Sequence, residues 1–163
     1  MAYDFSAAEV FEMAVKIEEN GAAFYRKAAE LQTDQANKDF LITLAKMEDR
    51  HKISFEQMKE KMADGADAQT VFDPQGELSL YLGAMADSHG GEGDPDVTSL
   101  LTGRESMADI IETAIGLEKK SILFYLGIED LVPEKLGKDL IFDIIREEKK
   151  HIAQLNGFLK KAV

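Results

Sequence analysis

The 163-residue chain contains no cysteine and no tryptophan, and only three prolines. Without cysteine there can be no disulfide, thiolate metal site, iron–sulfur cluster or cysteine nucleophile within the chain. Positive charge is also short: 19 Lys and Arg stand against 31 Asp and Glu, a formal charge of -12. Such a surface repels phosphate backbones and anionic lipid, so neither nucleic acid nor a membrane is an expected partner. No apolar run approaches the roughly twenty residues of a membrane span, and the N-terminus has neither the basic region nor the apolar core of a signal peptide. A soluble, cytoplasmic protein is expected. With 45% hydrophobic residues, the length suits one domain with a substantial core.

What is present is a repeat. Sliding residues 6–62 onto 106–162 gives 13 identities in 57 positions without a gap, where ordinary residue usage gives about one in fifteen by chance. Ser6-x-x-Glu9 has the form of a capping box, and Ser106-x-x-Asp109 repeats it with an Asp partner. Apolar residues then recur at helical spacing: Val10, Phe11, Ala14, Ile17, Phe24, Ala28 and Leu31 in one copy, Ile110, Ile111, Ile115, Leu117, Ile122, Phe124 and Ile128 in the other. Thr33-Asp34 predicts a break and a new cap before a second helix carrying Phe40, Leu41, Leu44, Met47, Phe55 and Met58. Pro133 suits the first turn of the corresponding fourth helix.

These signals predict two antiparallel helical hairpins, about 6–63 and 106–162, joined by a crossover at about 64–105. Gly65, Pro74, Gly76, the run His89-Gly90-Gly91-Glu92-Gly93-Asp94-Pro95 and Gly103 punctuate the crossover. Inside it, Glu77–Met85 is periodic enough for a short helix. Two hairpins with one long connection form an all-α four-helix bundle of the ferritin-like kind; an up-down-up-down bundle needs only a short middle loop.

The polar residues shared by the two copies are Glu18, Glu48 and His51, repeated as Glu118, Glu148 and His151. Residues three apart project from one helix face, so each Glu-x-x-His can point two donors at a common centre. Ile17, Phe24, Leu44 and Met47, with Leu117, Phe124, Ile144 and Ile145, place these groups inside an apolar stripe. Four buried carboxylates carry a penalty of several kcal/mol each unless compensated. Two divalent cations would cancel their charge, and carboxylate with imidazole suits iron or manganese.

At these residues the chain resembles the rubrerythrin branch of the ferritin-like superfamily, across all four main helices. A Glu from each of two helices plus a Glu-x-x-His from each of the other two is the ligand pattern of ferritin-like di-iron and di-manganese proteins. The resemblance implies two iron ions, with manganese or a mixed pair as alternatives, bridged by Glu48 and Glu148. It makes Glu18 and Glu118 terminal ligands and gives one ion each to His51 and His151. It also implies reduction of hydrogen peroxide or dioxygen; related members oxidise ferrous iron. A ferroxidase or iron-handling protein is thus the first alternative, and a bundle with purely structural metals the second. A homodimer is the oligomer the family leads one to expect.

The departures are specific. Classical rubrerythrins carry a rubredoxin domain with four cysteines, so this chain requires an external donor such as a rubredoxin-type protein. Ser121 stands where those enzymes have an additional glutamate. Asp49 stands where bacterioferritins place a haem-binding methionine, so no haem is expected; and twelve residues after His151 leave little for the fifth helix of storage shells.

Tyr25 and Tyr125 lie about two turns from Glu18 and Glu118 and can hydrogen-bond a ligand carboxylate, act as one-electron donors or simply pack in the core. His89 reads as a loop residue, and Glu12 and Glu112 as surface residues. Glu19, Glu30, Glu147 and the Lys pairs at 119–120 and 149–150 read as exposed charge. Met13, Met47, Met58 and Met85 read as core filler, because thioethers bind hard iron poorly.

Overall fold

Asp34 interrupts the first helical run by capping the next one: its Oδ1 accepts the N–H of Asn37 at 2.9 Å. The result is a hairpin of α1 (Ala7–Glu30) and α2 (Gln35–Ala63). The structure, a computed structural model, describes residues 7–63, 76–86, 97–129, 132 and 134–161. Beyond the first hairpin come α3 (Glu77–Ala86), a 3₁₀ turn (Val97–Leu100), α4 (Met107–Glu129), a second 3₁₀ turn (Glu134–Leu136) and α5 (Lys138–Lys161). Among the described residues there is no strand.

The cap expected at Ser106 is built as the sequence suggests. Asp109 Oδ2 accepts from the Ser106 N–H at 2.8 Å and from its hydroxyl at 2.7 Å, and the Asp109 N–H donates back at 3.2 Å. Its counterpart at Ser6 lies outside the described residues, as do His89 and the run from 90 to 95. The short helix expected in the crossover forms as α3. The start of the fourth long helix differs from expectation. Pro133 itself lies outside the described residues, and α5 begins only at Lys138, after a 3₁₀ turn and Gly137 at φ 111°. That positive φ suits glycine and resets the chain direction, so α5 starts beyond it.

Each hairpin packs internally, α1 on α2 and α4 on α5, and the hairpins meet through α1 with α4 and α2 with α5. Helix α3 lies against α4, where Tyr81 donates its hydroxyl to the Leu123 carbonyl. Its ring occupies the place of a side chain at Gly127: a Cβ there would overlap the ring. Only glycine lets the crossover helix approach so closely.

The core falls into two parts. One collects Val10, Phe11 and Ile17 with Phe55, Met58, Phe124 and Ile144. The other collects Phe24, Ala28, Leu41 and Leu44 with Ile110, Ile111 and Leu155. Burying such side chains contributes about 1.5–3 kcal/mol each. Of the expected apolar stripe, Leu31 is the exception at 36% exposed, because α1 ends one residue before it. Along every long helix the apolar residues of one part give way to those of the other, and the change occurs at the same level in all four.

Candidate metal centre

The six shared polar residues occupy that level. Glu18 lies on α1, Glu48 and His51 on α2, Glu118 on α4, and Glu148 and His151 on α5. None is more than 5% exposed. Their donor atoms form two groups, Glu18, Glu48, His51 and Glu148 in one and Glu48, Glu118, Glu148 and His151 in the other. Within each group the atoms lie within 4.8 Å of one another. Glu48 and Glu148 belong to both.

Both imidazoles turn Nδ1 toward the carboxylates. His51 Nδ1 is 2.9 Å from Glu148 Oε1 and 3.4 Å from Glu18 Oε2. His151 Nδ1 is 2.8 Å from Glu148 Oε2, 3.2 Å from Glu48 Oε1 and 3.4 Å from Glu118 Oε1. The two rings lie nearly parallel, with centroids 5.6 Å apart. A glycine makes room for one of the shared carboxylates: a Cβ at Gly21 would stand 3.1 Å from Glu48 Oε2.

Tyr25 and Tyr125 reach the carboxylates, but not those of their own helices. Tyr25 donates its hydroxyl to Glu118 and Tyr125 donates to Glu18, so each tyrosine ties its hairpin to the other. Burial, and then the facing carboxylates, push both phenols well above their ordinary range. They stay protonated and act as donors.

Burial also raises Glu18 and Glu48. It raises Glu148 as well, and with Glu48 and Glu118 facing it, Glu148 reaches about 8. Glu118 moves the other way: burial alone would raise it, but His151, Glu148 and the Tyr25 hydroxyl hold it below its ordinary value. Burial would lower both histidines. Instead the carboxylates around them, Glu148 and Glu18 for His51 and Glu118, Glu148 and Glu48 for His151, push both up to about 12.

The chemistry of the donor set fits a pair of cations. Glu18 Oε2, Glu48 Oε1, both oxygens of Glu148, Nδ1 of both histidines and Nε2 of His151 are buried with no hydrogen-bond partner among the described residues. The close N···O approaches lack hydrogen-bond geometry; the atoms point at common centres rather than at each other. Unpaired buried polar atoms of this kind are costly, and a metal ion satisfies several at once.

Glu147 corrects the sequence reading. Taken there as exposed charge, it lies 2.8 Å from Nε2 of His51, and this contact holds its carboxyl below the ordinary range against its partial burial. The available signal was its position four residues before His151, but its target is on the other hairpin, which no local spacing reveals. Glu12 does pair at the surface, with Lys59, and Met58 is buried in the core with Met13 and Met85 packed beside it. The remaining charge faces carry contacts such as Lys52 to Glu19 at 2.8 Å, worth about 0–1 kcal/mol each.

No family model and no curated protein matches the sequence. Among solved structures, the chain is similar to a Thermotoga maritima protein described as a candidate ferritin-like diiron-carboxylate protein. Identity is 21%, the TM-score is 0.74, and the match covers 100% of both chains. Two hairpins, one long crossover with its short helix, and this likeness along the whole length together place the chain in the ferritin-like fold.

Proposed function

We propose that the protein is a di-iron carboxylate oxidoreductase that reduces hydrogen peroxide or dioxygen with electrons from an external donor. The observation that carries this reading is the pair of buried donor groups sharing Glu48 and Glu148. Those two carboxylates would hold both ions, with Glu18 and His51 completing one position and Glu118 and His151 the other. Manganese, alone or with iron, suits the same donors. When bound, the iron pair supplies the two electrons and the open positions that a small oxidant needs.

The chain's own residues do the rest. Tyr25 and Tyr125 hold Glu118 and Glu18 in place by donating to them. The two apolar parts of the core close off the level of the site from bulk water on both sides. Because the chain has no cysteine, the proposed reductant is a separate rubredoxin-type protein.

Ser121 favours a second reading. It occupies the place of the extra glutamate of rubrerythrin-type enzymes, and its hydroxyl is turned back to the Leu117 carbonyl at 3.2 Å. Without a carboxylate at that place, oxidation or handling of ferrous iron at the six-residue site is the alternative. Stopped-flow absorbance of the ferrous-loaded protein separates the readings. Rapid oxidation by sub-stoichiometric peroxide is the expected result. Uptake of more than two irons per chain supports iron handling instead, and inertness toward both oxidants leaves metals that serve only structure.

A further inference from the structure

The two halves of the site carry the same ligand types, but their histidines are held differently on the side away from the carboxylates. His51 turns Nδ1 inward and has Nε2 2.8 Å from Glu147 Oε2. His151 also turns Nδ1 inward, but its Nε2 is buried with no hydrogen-bond partner among the described residues. The repeat explains the difference. Position 47 stands to His151, at the same hundred-residue offset, as position 147 stands to His51, and it holds Met47. A thioether is a weak acceptor, whereas a carboxylate is a strong one for an imidazole N–H.

We propose that Glu147 is a positioning residue that makes the two metal positions unequal, so that the ion on His51 binds more tightly than the ion on His151. The inference rests on the two-metal reading and adds an order of filling to it. With Nδ1 committed to a metal, the imidazole must carry its proton on Nε2. A carboxylate there fixes the tautomer and ring orientation and makes Nδ1 a better donor. On the other side, the Nε2–H of His151 is desolvated without return, which weakens the ring as a ligand. Glu147 also differs from the ligands in being reachable: its side chain is 43% exposed while that of His51 is 4% exposed. It can therefore be changed without opening the core.

The test is titration of the metal-free full chain with Co(II), followed by calorimetry and visible absorption. Two ions should enter the wild-type protein in separate steps. E147M should weaken the tighter step by about 10–100-fold and bring the two together, whereas E147Q, which keeps an acceptor oxygen, should retain part of the separation. M47E should strengthen the weaker step. In H151A the tighter step should survive, and in H51A it should be lost. Apo melting temperatures of E147M and M47E serve as controls, since a merely structural role would move those and leave the binding order alone. Two Co(II) ions binding with constants unchanged in both E147M and M47E would overturn the inference while leaving the two-metal reading intact. A wild-type chain that takes up no Co(II) overturns both.

Discussion

Tyr125 on α4 donates its hydroxyl to Glu18 on α1, and Tyr25 on α1 returns the same bond to Glu118 on α4. The two bonds are reciprocal ties between hairpins, made at the level where the apolar core is interrupted. Each satisfies one oxygen of a buried carboxylate that no solvent reaches.

Removing either hydroxyl leaves such an oxygen short of a donor. Y25F and Y125F are each expected to destabilise the chain by about 1–3 kcal/mol, in the range of hydrogen bonds to charged groups. Urea denaturation monitored by circular dichroism measures this. Because both bonds join the same two hairpins, the double variant should depart from additivity.

Sharing of Glu48 and Glu148 between the two donor groups predicts unequal consequences for the four glutamates. E48A or E148A should abolish both metal positions, whereas E18A or E118A should cost about one ion per chain. Metal content of the purified variants, measured by mass spectrometry after loading and desalting, is the check. Loss of two ions in all four variants, or of one in all four, would contradict the sharing.

Removal of metal should make stability depend on pH. Glu148 is pushed up to about 8, and Glu18 and Glu48 are raised, so the folded apo chain binds protons that the unfolded chain has released. Folded-state binding of extra protons means that stability falls as pH rises. For Glu148 the contribution is present below about pH 4.5 and is lost as pH passes through about 8. Both histidines, up at about 12, act in the same direction above their ordinary value of 6.5. Apo protein should therefore melt at a lower temperature at pH 8 than at pH 5.5. Metal should restore stability at pH 8 and release protons as it binds, an effect that calorimetry in buffers of different ionisation enthalpy detects.

Gly21 costs α1 up to about 1 kcal/mol relative to alanine in a helix interior. The close approach of Glu48 Oε2 to its missing Cβ accounts for keeping it. G21A should gain helix propensity and push the Glu48 carboxylate aside. Its expected signature is a small change in apo melting with weaker metal binding, both read from melting curves with and without metal. Unaltered affinity would show that Glu48 moves freely.

Much of this was legible from residue spacing. The hundred-residue offset identified both hairpins, and the persistence of Glu18, Glu48, His51, Glu118, Glu148 and His151 within apolar stripes identified the buried polar set. Helical periodicity and capping are local rules, so α1, α2, α3 and α4 begin near where those rules put them. The start of α5 was less legible because Gly137 adopts a positive φ, a backbone choice that proline spacing does not encode.

The amino-acid order by itself therefore determined the duplicated helices, the acidic and cysteine-free character of the chain, and which six polar side chains share a level in the core. Only the tertiary structure decided which side chains meet across the hairpins. It brought Tyr125 to Glu18 and Tyr25 to Glu118, and it set Glu147 against His51 while leaving His151 Nε2 without a partner among the described residues. The physical reason is that periodicity fixes the face of a helix on which a residue lies. Its partner depends on how two helices are offset and rotated against each other, and that is settled by the packing of the whole bundle.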